Sequence, residues 1–390
     1  MAATITSIKT DSVNREQILS HIPEDEQKKV IELFKKVDKN KEFEFIFFSK
    51  KGQQMNKEKY VLLLKYMRNM AKIKKLKIEG PERTLDISFS PEKGKTYRIS
   101  ISGSEAINEM ITRIMEIQNK NYMIYKFLLY TMKQGKEKNK ISLMLKTKEP
   151  DHTIDIDDLN MRVRLSTELQ MTDKIIKGGM KDIAELDKNI IKLLSGDALA
   201  LDERKDMNGK IFFRLKERTS MYVSEDDSHF IRIDLTDTKN TTDIKRLNSM
   251  FSNYELEIEY GNKTSKTVNL DHLNAIYETS ENLLKLIQQS GFIIGNTQTE
   301  SVIQYYRDMT GANKSTNSLV ARQPISLEIQ HIAEVLPNKY TVTDKADGDR
   351  YFLIIKNCEP VRAKYQKVSN NCQSETALPL APVSATFVEM

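Results

Sequence analysis

Polar and apolar residues alternate with a period of two along a series of short stretches, and helical spacing fills the gaps between them. From Tyr254 to Tyr260 the glutamates fall at every second position, so in a strand Glu255, Glu257 and Glu259 share one face and Leu256 and Ile258 the other. Glu42 to Phe47 repeats the pattern, with Glu42 and Glu44 opposite Phe43, Phe45 and Phe47. Between these two acidic stretches lie basic ones. Arg98 and Ser100 oppose Tyr97, Ile99 and Ile101, and Arg162 and Arg164 oppose Met161, Val163 and Leu165. Arg214, Lys216 and Arg218 make one purely cationic face, and Arg232 and Asp234 oppose Ile231, Ile233 and Leu235. Thr84–Phe89 and Ile141–Lys146 read as further strands, with a turn at Pro91–Gly94 after the first. Apolar residues at helical spacing predict helices within 18–37 and over 56–74, 104–118, 172–194 and 271–290.

One strand with a charged face and an apolar face ordinarily turns its charges to water. Here the charges have one sign within most strands and opposite signs between strands. Three carboxylates in a row on a strand repel one another unless a cation or basic side chains neutralise them. The arrangement predicts an α+β fold, with a closed antiparallel barrel of about eight strands. Its interior would be ionic, and its apolar outside would be packed by helices. Closure also removes exposed strand edges.

The remaining composition narrows the chemistry. The chain has 390 residues, enough for two domains, with 30% charged and 39% hydrophobic residues. A net charge of +6 permits an anionic partner without demanding a nucleic-acid groove. Two cysteines, Cys358 and Cys372, fit neither a disulfide framework nor a zinc pattern, and the five histidines are scattered. No apolar run is long enough to span a membrane, and no P-loop or Gly-x-Gly-x-x-Gly is present. Acidic strand faces supply the hard oxygen ligands that suit Mg²⁺ or Mn²⁺. Cationic faces suit phosphate oxygens. Together these suit metal-assisted phosphoryl hydrolysis, with Asp234 or Glu255 orienting the attacking water.

These residues resemble those of the triphosphate tunnel metalloenzyme family, and within it the metal-dependent RNA 5′-triphosphatases. The resemblance spans about residues 40–260. It implies that Glu42 and Glu44, from an early Glu-x-Glu strand, and Glu257 and Glu259, from a late one, ligate the metal, with Glu255 extending the second set. It further implies that Arg214, Lys216 and Arg218 hold substrate phosphates, together with Arg98, and that Asp234 is the acid of the following strand; Arg162 and Arg164, on a basic strand face of their own, are expected to join the phosphate-binding set.

Further on, Lys345-Ala-Asp347-Gly348-Asp-Arg350 lies between two apolar, strand-like runs. It resembles the Lys-x-Asp-Gly motif of covalent nucleotidyltransferases, the mRNA guanylyltransferases and nucleic-acid ligases. The resemblance implies a lysyl-nucleotide on Lys345, with Asp347, Gly348 and Arg350 contacting the nucleotide. A triphosphatase followed by a guanylyltransferase is the order found in capping enzymes of large nucleocytoplasmic DNA viruses. The expected organisation is therefore a tunnel domain over 1–310, the start of a guanylyltransferase domain over 311–357 and an irregular tail over 358–390. The chain ends at Met390, well short of a full guanylyltransferase domain. The expected function is removal of the γ-phosphate from nascent mRNA. The alternatives are lysyl-GMP formation together with another chain, or non-catalytic binding of an RNA 5′ end. The resemblance implies 5′-triphosphate RNA, nucleoside triphosphates, GTP, and other capping or methyltransferase subunits as partners. It places the protein away from membranes, in the host cytoplasm (a viral factory) or the virion.

Overall fold

The computed structural model describes residues 18–48, 54–92, 95–116, 141–171, 211–264 and 267–311, and the backbone of 351–354 and 386–389. The chain divides into two compact units, Met1–Asn296 and Thr297–Met390.

The first unit is built around eight strands: β1 (Lys41–Phe47), β2 (Ile78–Glu92), β3 (Lys95–Ser102), β4 (Ile141–Ile156), β5 (Met161–Gln170), β6 (Ile211–Glu225), β7 (His229–Thr241) and β8 (Asn253–Asn262). They close into a barrel in the order β1-β5-β4-β3-β2-β6-β7-β8. Every pairing is antiparallel, and β1 bonds to β8 to complete the ring. The barrel expected from the alternation therefore forms, and its strands extend beyond the stretches where the alternation is clean. β4 runs to Ile156 because a register shift between Lys148 and Thr153 carries it past its polar middle. That shift places Asp155 on the strand, opposite Arg162.

Local chemistry sets the connections. In the β6–β7 hairpin, Asp226 Oδ1 accepts from Ser228 N at 2.7 Å and His229 N at 2.9 Å, an aspartate-nucleated turn. At Gly80, with φ +99°, an added Cβ would collide with the Arg218 carbonyl oxygen, so the irregular start of β2 requires glycine beside β6.

The described residues of this unit include the helices α1 (Glu24–Lys35), α2 (Lys57–Lys74), α3 (Ser104–Glu116) and α4 (Leu270–Gln288). Asn56 caps α2 by accepting from Lys59 N, and Asn269 caps α4 by accepting from Asp271 N. The helices cover the outside of the barrel. Phe43 meets Phe34 of α1 with ring centroids 5.1 Å apart, and Phe45 meets Tyr277 of α4 at 5.6 Å. One apolar cluster joins α1, α2 and α4 to β1, β5, β7 and β8; a second joins α3 and the 3₁₀ turn Ile244–Ser249 to β2, β3 and β6. Among the described residues no helix is long and apolar enough to cross a membrane.

The second unit contains α5, which starts at the boundary (Asn296–Thr310), and the antiparallel pair β9 (Tyr351–Ile354) and β10 (Thr386–Glu389). β9 is the apolar run after the lysine motif. β10 falls within 358–390, so that stretch is not irregular throughout. The sequence-predicted helix over 172–194 lies outside the described residues.

Because the outward face is the core, Phe45→Ala removes a side chain that is 0% exposed. It should lower unfolding free energy by roughly 3–5 kcal/mol in denaturant titrations. Arg162→Ala, at the solvent-exposed pair with Asp155, should change it by less than about 1 kcal/mol. Equal small losses in both variants would contradict the packing described.

Candidate functional site

With the apolar side chains committed outward, the alternating charged side chains face the lumen. Ion pairs between strands that are not neighbours demonstrate this. Lys146 of β4 reaches Glu42 and Glu44 of β1, Arg98 of β3 reaches Glu168 of β5, and Arg214 of β6 reaches Glu255 of β8.

Barrel closure brings the two acidic strands side by side. Glu44 pairs directly with Glu259 and Ile46 with Glu257, while Glu42 stands opposite Gly261. Like charges in adjacent positions raise one another's pKa. Burial, with Glu257 and Glu42 close by, raises the Glu44 carboxyl despite Lys146. Burial and the Glu42 charge push Glu259 up to about 8 despite Arg232. Glu42 goes the other way. Burial alone would raise it, but Lys146, a hydrogen bond with Glu168, and Arg98 outweigh burial and lower it. Glu44 Oε2 is buried without a hydrogen bond, with Arg164 Nη1 3.7 Å away. Glu257 acts electrostatically on Glu44 and on Arg218, a cation it shares with Asp234 and Glu259. This side of the lumen is short of positive charge.

The opposite side is short of negative charge. Burial, with Arg218 and Arg98 close by, holds Lys216 below the ordinary lysine value even though Asp86 Oδ2 lies 2.6 Å from its ammonium. Lys148 is lowered to about 8 by burial and by Arg164, Lys146 and Arg214. Arg98 and Arg218 are better compensated. Arg98 Nη2 donates to Glu168 at 3.3 Å, and Arg218 Nη1 lies 3.3 Å from Asp234 Oδ2. Asp234 is saturated: Ser220 Oγ donates to its Oδ1 at 2.6 Å and Arg232 Nη2 to its Oδ2 at 2.9 Å, and it is 1% exposed. Glu255 is bound by Arg214 and, through Oε1, by Thr238 Oγ1 at 3.5 Å, and remains half-buried.

The structure thus brings Glu42, Glu44, Glu257, Glu259, Glu255, Asp234, Arg98, Arg164, Arg214, Lys216 and Arg218 into one lumen. Arg162 is at its rim, paired to Asp155 with Nε 2.6 Å from Oδ1. Lys345, Asp347, Gly348 and Arg350 lie outside the described residues. Four further lumen residues were not assigned to the site from sequence: Lys146, Glu168, Asp86 and Arg232, the last recognised only as part of a charged strand face. Lys146 Nζ lies 2.9 Å from Glu42, 3.0 Å from Glu168 and 3.4 Å from Glu44, and Arg232 Nη2 lies 2.6 Å from Glu259. Lys146, Asp86 and Arg232 lie on the polar faces of strands already recognised, and Glu168 continues the face of Arg162 and Arg164 beyond Leu165, so following each alternating face to its end would have found them. Among the described residues the one group of three potential metal ligands with atoms within 4.8 Å of one another is Glu149, Asp151 and His152, whose acids are exposed on β4; no three of Glu42, Glu44, Glu257 and Glu259 approach one another that closely.

No family model matches the chain. It is similar to a probable mRNA-capping enzyme of Acanthamoeba polyphaga mimivirus, 28% identical over 273 residues, which is 70% of this chain and 20% of that protein. The chain thus spans about a fifth of the length of the curated relative it matches. Among solved structures, the RNA triphosphatase domain of a trifunctional mimivirus mRNA capping enzyme matches with a TM-score of 0.48. That match is 23% identical and covers 68% of this chain and 97% of that one. A triclinic structure of the mimivirus capping enzyme triphosphatase gives 0.47, 21%, 69% and 99%.

Proposed function

We propose that the barrel is a metal-dependent RNA 5′-triphosphatase that removes the γ-phosphate from triphosphate-ended RNA. The observation that carries this reading is the division of the lumen. Carboxylates short of cations on β1 and β8 face lysines short of anions on β4 and β6. A polyphosphate with its divalent cation supplies both missing charges. The similarity to a mimivirus capping enzyme supports RNA as the substrate class.

The unbonded Glu44 Oε2 and the raised Glu44 and Glu259 carboxyls fit a hard divalent ion. Glu42, Glu44, Glu257 and Glu259 would hold Mg²⁺ or Mn²⁺, which when bound neutralises charge on the terminal phosphate. Arg214, Lys216 and Arg218 line up along one strand face and hold successive phosphate oxygens. Arg98 and Arg164 approach from the neighbouring wall. Asp234 has its acceptor capacity filled by Ser220, Arg232 and Arg218, so it fixes those arginines rather than a water. Glu255 keeps acceptor capacity and solvent contact, and takes the role of orienting the attacking water.

Phosphate release from triphosphate-ended RNA should require Mg²⁺ or Mn²⁺ and stop in EDTA. Glu42→Ala and Glu257→Ala should each lower kcat by roughly 10²-fold or more, the scale of losing transition-state charge stabilisation. Wild-type rates in both variants would remove the assignment. Glu255→Gln should lower kcat with little change in KM, whereas Asp234→Asn should raise KM by loosening Arg218 and Arg232. The reverse pattern would exchange their roles.

Stability should follow the carboxyls. A folded-state pKa raised from 4.5 to about 8 at Glu259 stabilises fully below 4.5, and that contribution is lost as pH rises through about 8. Glu44 and Glu168 are raised and act in the same direction. Lys148, lowered from 10.5 to about 8, has the opposite sign in a separate window: its contribution grows as pH rises from about 8 toward 10.5. In EDTA, Tm should therefore fall from pH 5 to 8 and level or recover above it. Glu259→Gln or saturating Mg²⁺ should flatten the fall. A Tm that climbs from pH 5 to 8 in EDTA would contradict the acidic cluster.

A further inference from the structure

The ammonium of Lys146 sits between the two carboxylates of β1. It donates to Glu42 Oε2 at 2.9 Å and Glu44 Oε1 at 3.4 Å, and its side chain is only 12% exposed. A divalent ion bridging Glu42 and Glu44 needs the same space, and two cations cannot share it at a few ångströms' separation. We propose that Lys146 is the tethered counter-ion of the β1 acids, which a divalent cation must displace in order to bind Glu42 and Glu44. Lys146 thereby sets the affinity of the site for metal. This rests on the metal site of the preceding section.

The surroundings make the exchange feasible without stranding a buried charge. Glu168 Oε1 lies 3.0 Å from the same ammonium. Glu168 is on β5, two positions beyond Ser166, the residue that pairs with Glu42, so it stands off the β1–β8 acidic stripe. When Lys146 leaves Glu42 and Glu44 it keeps Glu168 as its partner, so the cost of an unpaired buried cation is avoided. Arg98, 3.3 Å from the same carboxylate, holds Glu168 in place to receive it. Glu44 Oε2 is buried and carries no hydrogen bond, so an arriving ion displaces no donor from that oxygen. Positive charge, rather than the shape of the side chain, is what Lys146 contributes. Arginine at this position should therefore still resist metal, while a neutral side chain should not.

The test is Mn²⁺ affinity of the full chain, read as free Mn²⁺ by electron paramagnetic resonance with no phosphate present. All proteins carry Asp151→Ala, so that the exposed Glu149–Asp151–His152 set does not contribute. Lys146→Gln and Lys146→Met should bind Mn²⁺ about tenfold or more tightly than the parent, as removal of a like charge at contact range requires. Lys146→Arg should stay near the parent value and also shows that the barrel folds with a substitution at this position. Adding Glu44→Ala to Lys146→Gln should abolish the gain. Unchanged or weaker Mn²⁺ binding in both neutral variants overturns the proposal, as does a gain that survives Glu44→Ala. Activity separates this inference from the reading it rests on. Metal-dependent phosphate release by the wild type without the gain leaves the triphosphatase and removes the counter-ion. The gain without phosphate release does the reverse.

Discussion

The pairing of β1 with β8 is the contact on which the rest depends. It joins strands from opposite ends of the barrel's sequence and closes the ring, and in the same act sets Glu44 directly opposite Glu259. Like charges facing each other across a ladder oppose the pairing. Closure therefore works against local electrostatics, and it holds because other terms exceed the repulsion. The apolar backs of the same strands, Phe43, Phe45, Ile258 and Tyr260, are almost fully buried under α1 and α4. Within the lumen, Lys146, Arg164 and Arg232 approach the acids from β4, β5 and β7. The hydrophobic effect closes the barrel, and the lumen bears the electrostatic consequence.

This separates stability from chemistry more cleanly than in a protein whose active site is cut into its core. The helices and outward side chains can hold the barrel shut regardless of what the inward positions carry, because successive side chains on a strand point to opposite faces. An eight-stranded barrel leaves a lumen only wide enough for side chains and one small ligand. Nearly every inward charge is consequently in contact range of another, as the chain of contacts from Glu42 through Lys146 and Glu168 to Arg98 illustrates. A change at one link is transmitted to the next without any movement of the backbone.

Period-two alternation was sufficient to reveal the strands and the barrel, because a residue's side of the sheet follows from its parity alone. The helices over 57–74, 104–116 and 270–288 were equally legible from their apolar spacing. Partnerships were not. Lys146 and Glu168 lie on strands that were recognised, but their meeting depends on the register of β4 against β5 and on a shift in that ladder, which no single strand encodes. Asp234 and Glu255 were indistinguishable as candidates, each an acid on an alternating face. Only the hydrogen bonds that fill Asp234 and leave Glu255 partly open separate them. Histidines scattered in sequence likewise converge in space: His229 and His272 stack with ring centroids 3.7 Å apart, outside the charged face of the lumen. Charge pattern thus predicts which surface a residue joins, while three-dimensional register decides which partner it finds.

The two deficits in the lumen also constrain what can bind there under the proposed reading. A free divalent cation satisfies Glu44, Glu257 and Glu259 but leaves the basic wall of β6 uncompensated and must contend with Lys146. A free phosphate satisfies Lys216 and Lys148 but meets the acids across a narrow lumen, where low solvent content strengthens repulsion. A polyphosphate chelating its metal presents positive charge at one place and negative charge along the rest, matching the separation of the β1–β8 stripe from the β4–β6 wall. The complex binds better than either component because each part removes the repulsion that the other would face. On that argument a single phosphate, too short to span both walls, leaves readily once the chain of phosphates is cut, and the same charge division that draws the substrate in also releases the product.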